Sequence, residues 1–272
     1  MSLKLNLLFS SVVLIVALLF SCKSTNPNSS WEVYGGSKEN IHYSALAQID
    51  TSNVSGLVKA WDYKTGDTDK YTQIQANPIV VNNVLYGVSP KLKLFAVDAS
   101  TGQSKWIFDP YQVIEQGVKG VGYFAMNVCR GVTYYKDNKD ARIFYAAGPN
   151  LFCVNATTGK LINDFGADGK IDLHNDLGRD VSNLYVAMTS PGIIYKDVII
   201  IGSRVNEEAA AAPGYIRAYD VHTGKLRWKF HTLPQPGEEG YESWEDKDAW
   251  KNVGGVNAWA GFSLDEKPGL VS

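Results

Sequence analysis

The sequence contains few cysteines, almost no net charge and no long helical pattern. Three of its 272 residues are Cys, which excludes a dense disulfide framework as the basis of the fold. The formal net charge of -2 gives no reason to expect a nucleic-acid partner. Its four histidines show no metal-ligand spacing, and neither a phosphate-binding loop nor a nucleophile elbow is present. Short apolar segments separated by Gly, Pro, Asn and Asp predict instead an all-β protein.

One phrase occurs three times in the chain, at residues 94–102, 151–159 and 216–224. Each copy begins with an alternating strand, continues with Asp or Asn, and ends in Thr-Gly. The Asp or Asn side chain can hydrogen-bond to the turn backbone, and Gly readily adopts a positive φ. The copies recur roughly every 60 residues, a period typical of stacked supersecondary units. The repeat therefore predicts a propeller or a solenoid of short strands.

A tryptophan follows the Thr-Gly turn in two of the three copies. Trp106 and Trp228 each stand four residues after the glycine, and we predict that both are buried between neighbouring sheets. The middle copy has Asn163 at this position, with Phe165 nearby as a substitute. A weaker copy of the phrase is expected at residues 60–66, which would add a repeat before the first clear one.

The N-terminus has the features of a bacterial lipoprotein signal. Lys4 precedes an apolar run at residues 7–20, which is short for a membrane span and leads to Cys22. The end of this run resembles a lipobox, which predicts a signal peptide at residues 1–22 and a lipidated Cys22; an uncleaved anchor is the alternative. Residues 23–30 would be a flexible tether. The protein is then expected on the periplasmic side of a bacterial membrane, held by its lipid anchor.

Cys129 and Cys153 are the two cysteines beyond this segment. In an oxidising compartment they could form a disulfide. Two buried free thiols are at least as good an interpretation, because free cysteine is among the most buried residue types. The sequence leaves both alternatives open.

Short segments along the sequence carry a resemblance to a known family; they are residues 34–36, 43–44, 48–49, 53–54, 129–131, 189–191, 255–259 and 265–270. Through these segments and their order, residues 31–272 resemble the pyrroloquinoline quinone (PQQ) dependent dehydrogenases, and most closely the membrane-associated glucose dehydrogenase branch. The resemblance implies a partial eight-bladed β-propeller built from four-stranded antiparallel blades. It further implies PQQ and a Ca²⁺ or Mg²⁺ ion near the central axis.

The resemblance assigns three residues to the quinone. Arg130 would bind its oxygens, because a guanidinium pairs with planar carboxylates and carbonyls through charge-assisted hydrogen bonds. Thr189 would offer a hydroxyl, and Trp259 would stack on one face of the rings. The alternatives are a surface arginine, a threonine in a strand-start turn and a tryptophan in a blade core. Gln75 stands where the family usually has Glu, so that one anionic contact to the site becomes neutral.

A metal position is implied in the loop after the apolar strand at residues 193–201. Glu207 aligns with the carboxylate ligand of the alcohol dehydrogenase branch, and Asn206 beside it is a second oxygen donor suited to Ca²⁺. A solvated loop carboxylate is the alternative. Met126 stands where the glucose enzymes carry His, so the resemblance does not establish glucose as the substrate.

The function implied by the resemblance is oxidation of an alcohol or sugar, with electrons passing to a respiratory quinone or cytochrome. The family's catalytic base would lie beyond Ser272, so the sequence is interpreted as a truncated N-terminal part that is inactive alone. The alternative function is a non-catalytic propeller lipoprotein that serves as a scaffold for outer-membrane protein assembly. Residues 129–131, 189–191 and 257–259 favour the enzyme, because a scaffold has no need of them.

Overall fold

The computed structural model describes residues 30–114 and 128–272. The predicted signal peptide with Cys22, most of the predicted tether, and Met126 lie outside these ranges. Among the residues described, no helix is both long and apolar enough to span a membrane. The helical segments within these ranges are short; they are 3-10 turns at Val54–Gly56, Pro110–Gln112 and Tyr241–Ser243, and an α-helical turn at Ala249–Asn252.

Three sheets of four antiparallel strands follow one another along the described chain. The first contains β1 (Ile79–Val81), β2 (Val84–Val88), β3 (Leu94–Asp98) and β4 (Ser104–Phe108). The second contains β5 (Thr133–Lys136), β6 (Ala141–Ala147), β7 (Asn150–Asn155) and β8 (Lys170–Asp172). Next come β9 (Val186–Ala187), β10 (Ile193–Tyr195), β11 (Val198–Ile201), β12 (Arg204–Val205), β13 (Ile216–Asp220) and β14 (Leu226–Phe230). The third sheet consists of β10, β11, β13 and β14, and β9 pairs with β12.

A last hairpin, formed by β15 (Leu264–Asp265) and β16 (Leu270–Val271), follows the third sheet. Within each four-stranded sheet, the strands lie in the order in which they occur along the chain, which is the arrangement of a propeller blade. The predicted all-β class and the four-stranded antiparallel blades are therefore confirmed. The number of blades in a complete ring stays a prediction.

The repeated phrase connects the third strand to the fourth strand in each sheet. The residue that closes each third strand accepts hydrogen bonds from two backbone N–H groups of the turn, at 2.8–3.1 Å; these residues are Asp98, Asn155 and Asp220. The three turn glycines have φ values of 71°, 70° and 68°. Only glycine adopts this backbone conformation without strain, so the Thr-Gly ending follows from the turn geometry.

Apolar side chains are buried in the seams, which are the contact surfaces between neighbouring sheets. Trp106 lies in the seam between the first and second sheets, where its Nε1 donates a 3.1 Å hydrogen bond to the carbonyl oxygen of Ala156. Its ring covers Gly159 so closely that a Cβ there would lie 2.7 Å from the ring. The predicted position of Trp106 between two sheets is confirmed, with the ring partly buried.

The predictions for Trp228 and Phe165 have different outcomes. Trp228 lies on β14 and is 43% exposed, so the prediction that it is buried is wrong. The reason is that no Thr-Gly turn packs against it within the described ranges. Phe165 is fully buried in the seam between the second and third sheets, with 5.3 Å between its ring centroid and that of Phe144. Phe165 therefore fills this seam, but Gly166 and Ile171, rather than Phe165, lie against the turn glycine Gly224.

Residues 60–66 do not form another copy of the strand-and-turn phrase. Trp61 Nε1 donates to the carbonyl oxygen of Ala99 at 3.2 Å, and its ring covers Gly102. These are the contacts that a fourth-strand tryptophan makes with the next sheet, so the prediction of a weaker copy is wrong. In residues 60–66 the tryptophan precedes Thr-Gly, whereas it follows Thr-Gly in the true repeat.

Cys129 and Cys153 are both buried and both free, so the disulfide alternative is wrong. Burial raises the pKa of the Cys129 thiol to about 11 and that of Cys153 to about 12. The Cys129 thiol donates to the carbonyl oxygen of Gly131 at 3.2 Å. The two cysteines therefore serve as small core residues rather than as a cross-link.

Candidate functional site

The first strands of the three sheets begin side by side at one end of the structure. The backbone N–H of Asn77 donates to the carbonyl oxygen of Arg130, and that of Arg130 donates to the carbonyl oxygen of Thr189, both at 2.8 Å. Asn77, Arg130 and Thr189 come shortly before β1, β5 and β10, respectively. This chain of hydrogen bonds joins the three sheets and places two of the predicted site residues next to each other.

The guanidinium of Arg130 lies over the ring of Trp259, with 5.0 Å between Cζ and the ring centroid. The contact is electrostatically favourable, since the face of an indole is partly negative. Nη1 of Arg130 is buried and has no hydrogen-bond acceptor among the described residues, whereas Trp259 is 49% exposed. A buried guanidinium nitrogen without an acceptor is costly, so the position suits a ligand that brings an anionic or carbonyl oxygen.

Thr189 and Ser190 contact the backbone of Trp259. Ser190 Oγ donates a 2.6 Å hydrogen bond to the Trp259 carbonyl oxygen, whereas Thr189 Oγ1 approaches the same oxygen only to 3.5 Å, the outer limit of a hydrogen bond. Thr189 is 4% exposed and lines the same small cavity as Trp259. Ser190 is not among the residues predicted from the sequence, although its place in the 189–191 segment was a signal for it.

The segment before Trp259 is anchored to the third sheet. Asn257 Nδ2 donates to the carbonyl oxygen of Ser203 at 2.9 Å. Ala258 packs so closely that a Cβ at Gly202 would lie 1.8 Å from its carbonyl oxygen, so only glycine fits at that position. Ser203 is fully buried, and its Oγ has no hydrogen-bond partner in the part of the chain that is described. This second unpaired polar atom lies in the same small cavity as Trp259, and no sequence pattern pointed to it.

The predicted metal ligands lie in an exposed loop. Asn206 and Glu207 are exposed in the loop after β12, and Asn206 Nδ2 donates to Glu208 Oε1 at 3.0 Å. Across residues 30–114 and 128–272, no three His, Cys, Asp or Glu side chains are grouped so that they could bind a metal. The metal-binding roles of Asn206 and Glu207 therefore stay predictions.

Gln75 is exposed and lies two residues before Asn77, at the same end of the sheets as Arg130. Its amide makes no hydrogen bond to Arg130, Thr189 or Trp259. Of the four residues predicted to bind the cofactor, the structure thus brings three together and leaves Gln75 at the surface.

Comparison with known proteins gives consistent results. A family model for the β-propeller domain of PQQ-type glucose, ethanol and alcohol dehydrogenases matches residues 31–272. The quinoprotein glucose dehydrogenase A of Acinetobacter calcoaceticus is 31% identical over 269 residues, and a quinate/shikimate dehydrogenase (quinone) of Acinetobacter baylyi is 32% identical over 270 residues. Each alignment covers 89% of this chain and 32% of the relative. The chain thus spans about a third of the length of these relatives.

Solved structures have the same fold. A quinohemoprotein alcohol dehydrogenase from Pseudomonas putida superposes with a TM-score of 0.73 and 27% identity, over 90% of this chain and 34% of that chain. The quinohemoprotein alcohol dehydrogenase of Comamonas testosteroni gives a TM-score of 0.68 and 25% identity, over 87% of this chain and 34% of that chain. The prediction of a partial propeller of this type is confirmed.

Proposed function

Since this chain belongs to the family of PQQ-type glucose, ethanol and alcohol dehydrogenases, we propose that it forms part of the cofactor site of an enzyme that oxidises an alcohol or a sugar. The observation that carries the proposal is the buried Nη1 of Arg130, which has no acceptor among the described residues and lies beside the half-exposed ring of Trp259. PQQ has carboxylates and adjacent carbonyls on a planar ring system. It therefore offers both an acceptor for Arg130 and a flat surface for Trp259.

Three residues would hold PQQ. Arg130 would donate charge-assisted hydrogen bonds to its oxygens, and Thr189, which lines the same cavity as Trp259, would offer its hydroxyl. Trp259 would cover one face of the rings and exclude water from it, while Ser190 fixes the Trp259 backbone. Gln75 would add a neutral amide at the same end of the sheets. When bound, PQQ accepts the electrons that the substrate loses on oxidation.

We assign no step to a metal ion. Asn206 and Glu207 are adjacent oxygen donors, but both are exposed, and Ca²⁺ takes about six to eight oxygen ligands. The remaining oxygen ligands would be supplied by other residues, backbone carbonyls or water. Both residues stay proposed ligands on the strength of the family resemblance alone.

The substrate and electron acceptor are proposed from the relatives. Their names specify glucose, quinate or shikimate, and alcohol, which have in common a hydroxyl group that can be oxidised. We propose a respiratory quinone or a cytochrome as the acceptor, in line with the quinone and quinohemoprotein enzymes among the matches. The general base is proposed to lie outside this chain. A scaffold would not need the unpaired Arg130 nitrogen, which favours the enzyme over that alternative.

Titration with PQQ tests the cofactor proposal. Loss of a hydrogen bond from a charged group costs about 1.5–3 kcal/mol, so Arg130→Ala should weaken PQQ binding about 10- to 150-fold. Trp259→Ala should weaken it through loss of a stacking contact worth about 0.5–1.5 kcal/mol. Arg227→Ala is the control, because the Arg227 side chain lies on β14 and is 46% exposed. This variant should bind PQQ as the wild type does. Equilibrium dialysis measures PQQ binding and does not depend on enzyme activity. Unchanged PQQ affinity in both site variants would show that PQQ does not bind at this site.

We also propose that Cys22, which lies outside the described residues, carries the lipid that holds the protein on the periplasmic side of a bacterial membrane. Its support is the charged start, the short apolar run and the lipobox-like ending of that run. Growth of a bacterial host with a radioactive fatty acid should label the wild type and leave Cys22→Ala unlabelled. Label in the variant, or none in the wild type, would contradict the proposal.

A further inference from the structure

The described chain enters beside the first strand of the first sheet. Trp31 and Val80 exchange two backbone hydrogen bonds, at 2.7 and 3.0 Å, as an antiparallel pair. β1 begins at the end of the sheets where the candidate site lies, which we call the site end. From Trp31 the chain runs toward the site end, where the ring of Tyr34 packs against Gly131. The chain therefore comes to Trp31 from the opposite end of the sheets.

This opposite end, which we call the turn end, is built from tight turns. The hairpins that join β1 to β2, β5 to β6 and β10 to β11 lie there. Each Thr-Gly turn donates one backbone hydrogen bond of 2.9 Å to one of these hairpins, in the pairs Ala99 with Asn83, Ala156 with Ala141 and Val221 with Asp197. The turn end is thus a continuous surface of the three sheets, on the side away from the candidate site.

The proposed membrane anchor is attached on this side. Ser30 follows Cys22 by eight positions, and eight extended residues reach at most about 28 Å. An uncleaved anchor would end at Phe20, which raises this limit only to about 35 Å. Either anchor holds the chain where it enters from the turn end. The inference below therefore rests on the proposed anchor and is independent of PQQ binding.

Exposed lysines lie at the turn end without carboxylate partners. Five of them, in the turns of the three sheets, form no salt bridge with any described residue; they are Lys136, Lys139, Lys160, Lys196 and Lys225. The aspartates of the same turns are engaged by backbone N–H groups or by arginines; they are Asp98, Asp137, Asp140, Asp197 and Asp220. The lysine ammonium groups are therefore the charges that this surface offers to a partner.

A groove opens at the turn end between the first and second sheets, with a volume of about 610 Å³. Lys105, Lys136 and Lys139 line it together with the rings of Trp106 and Tyr134. Two of the engaged aspartates line it as well. Ammonium groups beside tryptophan and tyrosine rings suit a lipid–water interface, where both kinds of side chain place an apolar part and a polar tip.

The site end carries charge of the opposite sign. β14 runs toward it, and the loop after β14 contains six carboxylates and one lysine between residues 235 and 248. All six carboxylate residues are exposed; they are Glu238, Glu239, Glu242, Glu245, Asp246 and Asp248. An anionic lipid surface repels this loop and attracts the lysines of the turn end, so the two charge patterns favour the same orientation.

We propose that the turn end faces the surface of an anionic membrane, with its lysines against lipid phosphates and the candidate quinone site directed away from the bilayer. The anchor brings the protein to the membrane, and the lysines determine which end approaches it. Lysine is attracted to anionic headgroups over a Debye length, about 10 Å at 0.1 M salt. The substrate then reaches the site from the aqueous side.

Fluorescence quenching in vesicles tests this orientation. The full chain is purified from membranes of a bacterial host and incorporated into vesicles of phosphatidylcholine and phosphatidylglycerol that contain a headgroup-spin-labelled lipid. A dye is attached at Asn138→Cys on the turn end or at Glu239→Cys on the site end, both of which are exposed positions. Cys129 and Cys153 are buried and free, and an absence of dye on them shows in each preparation that the protein is folded.

We expect the spin label to quench the dye at Asn138→Cys at least about twofold more than the dye at Glu239→Cys, because only the turn end would lie within about a Debye length of the headgroups. Equal quenching at the two positions, or stronger quenching at Glu239→Cys, would overturn the proposal while the protein still floats with the vesicles. A protein that does not float with the vesicles would overturn the proposed anchor together with the orientation. Flotation thus distinguishes the two failures.

A pair of double variants tests the role of the lysines, with the dye at the exposed Thr157→Cys of the turn end. Lys136→Gln with Lys139→Gln removes two positive charges from the turn end, and quenching of the dye should fall. Lys247→Gln with Lys251→Gln removes the same charge from the loop after β14 and should leave quenching unchanged or raise it. An equal fall in both double variants would show that net charge, and not the turn end, governs the approach, which contradicts the proposal.

Discussion

Arg142 Nη1 donates a 2.9 Å hydrogen bond to the carbonyl oxygen of Val221, across the seam between the second and third sheets. Val221 holds the place in the repeated phrase that Ala99 and Ala156 hold in the other copies, where an indole N–H is the donor. The same backbone acceptor is thus satisfied in all three copies of the phrase. A buried carbonyl without a donor costs free energy, which explains why an arginine is present where the tryptophan is absent.

Replacement of this arginine should destabilise the protein. Arg142→Met should lower the free energy of unfolding by about 1.5–3 kcal/mol, because hydrogen bonds from a charged group to two backbone carbonyls are lost. Asp140 also loses a partner that contacts it at 2.7 and 2.9 Å. Arg227→Met is the control; its side chain is 46% exposed and pairs only at the surface, so the change should stay within about 0.5 kcal/mol. Equal losses for the two variants in urea titration would refute the seam role.

The two tryptophans of the repeat should differ in the same measurement. Trp106→Ala removes a ring and an indole hydrogen bond from a seam, and we expect a loss of about 3 kcal/mol, the lower end of the range for buried aromatic residues. Trp228 is 43% exposed on β14, so Trp228→Ala should cost about 1 kcal/mol or less. Guanidinium titration of both variants gives the comparison. A larger loss for Trp228→Ala than for Trp106→Ala would show that these seam contacts do not stabilise the fold.

The sequence predicted those parts of the fold that recur locally. The strands, the Thr-Gly turns and the seam position of Trp106 all follow from residues within one repeat. The roles of Trp61 and Arg142 do not, because their acceptors lie 38 and 79 residues away and the donor is an indole in one case and a guanidinium in the other. The exposure of Trp228 could not be predicted either, since burial of a seam residue depends on the neighbouring sheet and not on its own strand.

The site was predictable where its residues lie in short characteristic segments, as Arg130, Thr189 and Trp259 do. Ser190 and Ser203 were missed, because a single hydroxyl has no pattern and its role depends on a contact across the fold. An alignment without gaps assigned a ligand role to Glu207. Such an alignment fixes a position in the sequence, but it does not determine where an exposed loop directs a side chain.

The two core cysteines should be unreactive in the folded protein. The Cys129 pKa of about 11 and the Cys153 pKa of about 12 leave on the order of one thiol in a thousand or fewer ionised near pH 8. In a Cys22→Ala background, a chromogenic disulfide reagent should modify neither thiol in the native protein and both in urea. Rapid modification of either thiol in the native protein would contradict the burial of that cysteine. A failure to modify them in urea would indicate a disulfide.

One histidine should make stability depend on pH. The Asp172 carboxylate lies 2.7 Å from His174 Nδ1, and this hydrogen bond raises the pKa of His174 above its ordinary value of 6.5. Because the folded pKa is the higher one, the stabilisation is complete below the unfolded value and is lost as pH rises through the folded value. As pH rises through and above 6.5, the wild type should therefore lose more unfolding free energy than His174→Gln. Parallel pH profiles for the two proteins in urea titration would exclude this role.

Ser190 should act on PQQ through Trp259 and not by touching the cofactor. Ser190 Oγ donates a 2.6 Å hydrogen bond to the Trp259 carbonyl oxygen. In Ser190→Ala this bond is lost, and the only hydroxyl near that oxygen is then Thr189 Oγ1, at 3.5 Å. A hydrogen bond of this kind contributes about 1 kcal/mol, so PQQ affinity in dialysis should fall about fivefold. Ser190→Thr keeps the hydroxyl and should restore most of the PQQ affinity.

The fluorescence emission of Trp259 gives a second measurement, which does not need PQQ. This emission, isolated by comparison with Trp259→Phe, should shift in Ser190→Ala because the loosened ring meets more water. Wild-type affinity and emission in Ser190→Ala would show that Trp259 is held by Asn257 and the packing at Gly202 alone.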